Sequence, residues 1–259
     1  MNTKIVAITN QKGGVGKTTT ATCLAAGLQE AGKKTLLIDF DPQCNSTDVY
    51  HAEVEGVATL YDVLLDGYNA LEAVQHTEEG DIIAGDIQLM DAEKDFSSGF
   101  NRFKVFEKAA APLMGEYEYI ILDTPPHIGV LLRNALFAST TCIVPLTPER
   151  FSFQGLSDLA STISELQEVK PEFKIAGLLL VRVNQGRSLA KDTLESIPEI
   201  SNQLGTKCFK TVIREAEAVK KSQASRMTIY HWEKQIAKRK IPVADDYRAF
   251  VKEFIKEVK

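Results

Sequence analysis

The stretch KIVAITNQKGGVGKTTTATCLAAGL, residues 4–28, constrains the chain more than any other. An apolar, β-branched run (KIVAIT, 4–9) enters a glycine-rich turn, and the turn opens into a helix-like run (18–32) closed by Gly32. A strand that delivers glycines to a helix N-terminus lets backbone N–H groups turn inward around phosphate oxygens, with the positive end of the helix dipole behind them. The loop reads Lys12-Gly13-Gly14-Val15-Gly16-Lys17-Thr18-Thr19. Its Gly-Lys-Thr ending is that of a phosphate loop, although the first glycine of the common GxxxxGK[ST] form falls at position 11, which is Gln11. In such a loop Lys17 reaches the β and γ phosphates, Thr18 ligates Mg²⁺ and Thr19 donates to the α-phosphate. Lys12 is a second lysine on the same loop, and one phosphate loop needs only one.

The rest of the chain alternates in the same way. Strand-like runs at 34–40, 81–85, 119–123, 141–147, 174–183 and 207–213 are separated by helix-like runs. Two short helices are expected within 57–77, and helix over 87–115 with a break near 97–99. Further helices are expected at 130–138, 153–169 and 188–204, and two or three more at the end of the chain. Near-continuous apolar strands between helices predict an α/β fold with a mostly parallel, twisted sheet of about seven or eight strands, covered on both faces. No Pro/Gly/Ser-rich linker or repeat interrupts 1–259, so one nucleotide-binding domain is expected. The phosphate loop begins at residue 10, so no helix-turn-helix domain is expected before it.

Two further strands end in acids. LLIDFDPQCN (36–45) carries Asp39 and Asp41, and YIILDTPP (119–126) carries Asp123. The carboxyl ends of parallel strands are where open α/β sheets place ligands, and an apolar strand ending in an acid is the usual Mg²⁺-holding partner of a phosphate loop. No NKxD or TKxD stretch supports guanine recognition, and Asn184, at the end of the VRVN run, is a candidate to approach an adenine.

KGGVGKTT resembles the deviant Walker A motif of the ParA/MinD family of P-loop ATPases, and ITNQKGGVGKTTTA is similar to ParA/Soj partition proteins in particular. The resemblance implies an ATPase using ATP and Mg²⁺. It implies that Lys12 crosses a dimer interface to the phosphates of a second subunit. It assigns Lys12, Lys17 and Asp41 to catalysis, with Asp41 orienting the attacking water. Asp39 is then a neighbour of the Mg²⁺ shell, and Thr18 and Asp123 hold the metal. The chain departs from the family where Cys44 and Arg226 stand in place of glycine, and where His127 stands in place of serine.

The resemblance leaves the cargo open. Partition members bind nonspecific double-stranded DNA as ATP dimers and hydrolyse ATP when a ParB-like centromere-binding protein stimulates them; MinD-like members bind membranes; others position protein cargo. From Lys207 to Lys240 there are ten Lys or Arg against three Glu, a local +7 in a chain of net charge −5. Lys210, Arg214, Lys220, Lys221 and Arg226 are the candidate DNA contacts, with Arg214, Lys220 and Lys221 expected on one helix face. The apolar stripe Tyr247, Phe250, Val251, Phe254, Ile255 and Val258 is amphipathic, but its polar face mixes Lys with Glu. That balance favours packing on the domain's own core over a membrane surface. Four widely spaced cysteines (Cys23, Cys44, Cys142, Cys208) without a CxxC pair argue against a disulfide framework, a zinc site or an iron–sulfur cluster. A cytoplasmic, nucleoid-associated protein is the expectation.

Overall fold

The computed structural model describes residues 3–92, 96, 99–148, 153–184, 197–202 and 204–258. Seven strands form one sheet: β1 (Lys4–Ile8), β2 (Thr35–Asp39), β3 (Gln75–Thr77), β4 (Gly80–Ile83), β5 (Tyr119–Asp123), β6 (Thr141–Leu146) and β7 (Lys174–Leu180). Their spatial order is β3-β4-β2-β5-β1-β6-β7. All pairings are parallel except the β3–β4 hairpin at one edge.

Strand alternation builds two cores. Ile5, Ala7, Leu36, Ile38, Ile120 and Leu122 face one side of the sheet, where α3 (Val105–Ala109), α4 (Val130–Ala138) and α5 (Phe153–Val169) supply the cover. Val6, Ile8, Leu37, Ile121 and Ile143 face the other side. That side is covered by α1 (Lys17–Glu30) and by the C-terminal α8 (Pro242–Glu257), with α7 (Ile229–Trp232) beside them. Burial on both faces is why the strands read as unbroken apolar runs. Tyr247, Phe250, Val251 and Phe254 of α8 lie in this second core, and Ile255 and Val258 pack against it. The amphipathic stripe is therefore consumed by the domain itself. No helix among the described residues is long and apolar enough to cross a membrane.

Three expectations change. Residues 75–77 form β3, hydrogen-bonded to β4 through a tight turn at Glu78–Glu79, where a helix was expected. The described residues of 87–115 form short pieces, with 3₁₀ turns at Ile87–Asp91, Phe100–Phe103 and Ala111–Leu113 around α3. Pro112 sits in the last of these, where its ring and missing N–H oppose a continuing α-helix. Residues 207–213 run beside β7 through single bridges, such as Leu178 with Cys208, instead of forming a regular strand. The helix expected at 188–204 lies largely outside the described residues; 197–202 is helical apart from the undescribed neighbours on either side.

Candidate nucleotide site

The strand order brings the three motifs together. Ile8 of β1 and Asp39 of β2 are both register partners of Asp123 on β5, which lies between them. The phosphate loop leaves β1 at this carboxyl edge and returns as α1. Gly14 (φ +70°) and Gly16 (φ +90°) take left-handed backbone that side-chain-bearing residues rarely adopt, and Gly16 caps α1. Asn10 anchors the loop: its Nδ2 donates to Pro145 O at 2.8 Å, and its Oδ1 accepts from Lys12 N at 2.9 Å. The sequence alone had not singled out Asn10.

Lys17 is buried, with Nζ donating to the Lys12 carbonyl at 3.4 Å. Burial lowers its pKa, partly offset by Asp123 and Asp41. The ammonium is thus desolvated and turned back into the mouth of its own loop, poised for a polyanion that would satisfy it better than one carbonyl. Asp123 is fully buried, accepts from Ser46 Oγ at 2.8 Å through Oδ2 and is faced by the Thr18 hydroxyl. Its Oδ1 is buried without a hydrogen-bond partner among the described residues. Burial and the neighbouring acids hold the Asp39–Asp123 pair above the usual carboxylate range. A buried carboxylate with an unused oxygen beside a threonine hydroxyl is a donor set that fits a hard divalent cation.

Asp41 lines the cleft and accepts from Gln43 N at 3.0 Å. Asp39, expected beside the metal, is engaged differently. Its Oδ2 accepts from Thr47 N and Thr47 Oγ1, both at 2.8 Å, and its Oδ1 accepts from Asp41 N at 3.1 Å. Asp39 is outside the cleft lining and shapes the loop that carries Asp41.

The cleft has a volume of about 640 Å³. Gly13, Gly14 and Gly16–Thr19 form one wall, and Val181, Arg182, Ile213–Ala216, Val219, Lys220 and Gln223 form the other. Two contacts link the walls directly: Arg182 Nη1 donates to Gly14 O at 3.0 Å, and Gln223 Nε2 donates to Thr19 Oγ1 at 2.8 Å. Asn184 is exposed and does not line the cleft; Arg182, two residues earlier, does. The distant wall was invisible in the sequence because it is assembled from residues far along the chain.

The candidate DNA contacts are not one free patch. Arg214 precedes α6 (Glu217–Ala224), so it does not share a helix face with Lys220 and Lys221. It lines the cleft and makes a two-pronged pair with Asp246, Nε at 2.6 Å and Nη2 at 2.7 Å. Lys220 also lines the cleft and pairs with Glu217 at 2.8 Å. Arg226 pairs with Asp48 at 2.6 Å. Lys210 and Lys221 are exposed.

Comparison with known proteins identifies the family. The family described as "AAA domain" matches residues 3–175. The chain is 38% identical over 216 residues to the sporulation initiation inhibitor protein Soj of Bacillus subtilis (strain 168), covering 81% of this chain and 83% of that protein. The chain belongs to the ParA/Soj family of partition ATPases. It is also 36% identical over 198 residues to the chromosome partitioning protein ParA of Myxococcus xanthus (strain DK1622), covering 75% of this chain and 70% of that one. A solved structure of cobyrinic acid a,c-diamide synthase from Mycobacterium smegmatis, with bound ATP analog and magnesium, superposes with a TM-score of 0.84. Identity there is 29%, over 99% of this chain and 96% of that chain. The same P-loop architecture thus serves more than one reaction, and the job of a ParA/Soj member has to be argued from its site.

Both positions where the ParA/Soj resemblance calls for glycine are left-handed here, Cys44 at φ +53° and Arg226 at φ +52°. A left-handed backbone costs a residue with a Cβ about 1–2 kcal/mol, and the greater freedom of glycine in the unfolded chain offsets roughly 0.5–1 kcal/mol of that. Cys44→Gly is therefore expected to stabilise the fold by about 0.5–1 kcal/mol in urea unfolding. A loss of stability would mean that the Cys44 thiol packs more tightly than its partly buried position suggests.

Proposed function

We propose that this chain is a DNA-partition ATPase whose ATP-bound form is a sandwich dimer. The observation that carries the reading is the buried Lys17 beside Asp123 and Asp41, with Lys12 on the same loop. Lys17 and the loop N–H groups of Gly13–Thr19 hold the ATP phosphates. Thr18 and Asp123 hold Mg²⁺, which when bound neutralises charge on the phosphate oxygens. Asp41 orients the attacking water, and Asp39 fixes Asp41 through its backbone N–H. Lys12 completes the site of the second copy, which accounts for two lysines on one loop. The base lies toward the wall formed by Val181, Ile213 and Val219.

The ATP dimer binds nonspecific double-stranded DNA through exposed cations such as Lys210 and Lys221, and a ParB-like partner stimulates hydrolysis and release. Doubling the patch by dimerisation makes that binding steeply salt-dependent. The protein then works in the cytoplasm on the nucleoid. Burial of the α8 stripe in the domain's own core supports this reading over a membrane-positioning one.

The test is sedimentation with ATP against ADP. Lys12→Ala is expected to bind ATP with affinity within a few-fold of the unsubstituted protein and to stay monomeric, because its missing ammonium acts on the other subunit's phosphates. A stable Lys12→Ala dimer in ATP would return Lys12 to an ordinary loop residue.

A further inference from the structure

The short helix α2 (Asn45–Val49) grips three different parts of the molecule with three consecutive side chains. Ser46 Oγ donates to Asp123 Oδ2 at 2.8 Å. Thr47 donates to Asp39 through both its N–H and its hydroxyl, and its Oγ1 accepts from Gly85 N at 2.8 Å. Asp48 pairs with Arg226. Thr47 and Asp48 therefore tether the helix without Ser46. Ser46 is fully buried and spends its hydroxyl on Asp123, the one carboxylate among the described residues with a buried oxygen that has no hydrogen-bond partner.

We propose that Ser46 is a positioning residue for Mg²⁺: by holding Asp123 Oδ2 it turns Oδ1 toward the cation shared with Thr18. The proposal rests on the nucleotide–Mg²⁺ reading above. A carboxylate free at both oxygens rotates about its last torsion, whereas one oxygen pinned by a buried hydroxyl leaves the other with a fixed direction. The Thr18 hydroxyl also faces Asp123. Thr18 is itself a Mg²⁺ ligand in this reading, so Ser46 is the donor that stays with the carboxylate when Thr18 turns to the metal. Nothing in the spacing of DPQCNST marks this serine, because its partner lies 77 residues away.

The test uses the full chain and a fluorescent ADP analogue, titrated in EDTA and across a Mg²⁺ series. Ser46→Ala is expected to bind the analogue in EDTA within about twofold of the unsubstituted protein, and to need about 10- to 100-fold more Mg²⁺ for half-maximal strengthening of binding. Asp123→Asn sets the full loss, and adding Ser46→Ala to it is expected to change nothing further, because both act through one carboxylate. An unchanged Mg²⁺ midpoint in Ser46→Ala overturns the proposal, as does an equal loss of affinity in EDTA. Unsubstituted protein that binds the analogue without responding to Mg²⁺ overturns the metal assignment and this inference with it. Unsubstituted protein that binds no nucleotide overturns the site itself, which is a separate and recognisable outcome.

Discussion

Lys17→Ala will abolish nucleotide-dependent behaviour while leaving the empty protein at least as stable. Each charged hydrogen bond from a lysine to a phosphate contributes about 1.5–3 kcal/mol, so the affinity for ADP falls by on the order of 100-fold, and more for ATP. The stability half of the prediction comes from the pKa. Burial lowers the Lys17 pKa below its ordinary value, so the charged form is disfavoured in the folded protein relative to the unfolded chain. Below the unfolded value of the pKa that mismatch costs stability at neutral pH, and alanine removes the cost. Asp123 and Asp41 lose a nearby cation in exchange, which limits the gain. Calorimetric titration with ADP and thermal unfolding of the empty protein check both halves. Unchanged ADP affinity would refute the loop assignment. A large drop in unfolding temperature would mean that Lys17 is a structural ion-pair partner first.

Asp41→Ala is expected to bind ATP normally and to turn it over at least about 100-fold more slowly, because an unoriented water is lost from the attack geometry. The loop around it has independent support. Phe40 N donates to Asp123 O at 2.8 Å, and Cys44 N donates to Asp41 O at 2.8 Å. The Asp39 carboxylate still receives both Thr47 donors. Single-turnover phosphate release, measured with and without a stimulating partner, reads the effect. Turnover at the unsubstituted rate would remove Asp41 from the water-positioning role.

The phosphate loop was legible because its chemistry is local. Glycines at left-handed positions, a lysine and a helix start are all adjacent in the chain. The parallel sheet was legible because doubly covered strands have to be apolar throughout, as YIILD and TCIVPL are. β3 was not, since Gln75-His76-Thr77 is a three-residue polar edge strand with no apolar alternation to betray it. The second wall of the cleft was missed for another reason. Arg182, Gln223 and the Arg214–Asp246 pair acquire meaning only from contacts across 168, 204 and 32 positions. Charge counting over 207–240 likewise saw ten cations but not their partners, and three of the five chosen cations are already paired with acids. Asp39 and Asp123 are both acids at strand ends, and the sequence pattern does not show how each carboxylate is engaged. Thr47 separates them, by saturating the oxygen that Asp39 would otherwise offer a metal.

The most direct measurement is co-sedimentation of Asp41→Ala with nonspecific duplex DNA, in ATP against ADP, at low and moderate salt. Slow turnover in this variant holds the ATP state long enough to assay. The account predicts DNA binding that requires ATP, accompanies dimerisation and weakens steeply as salt rises. A protein that dimerises in ATP and leaves the DNA in solution at low salt would contradict it.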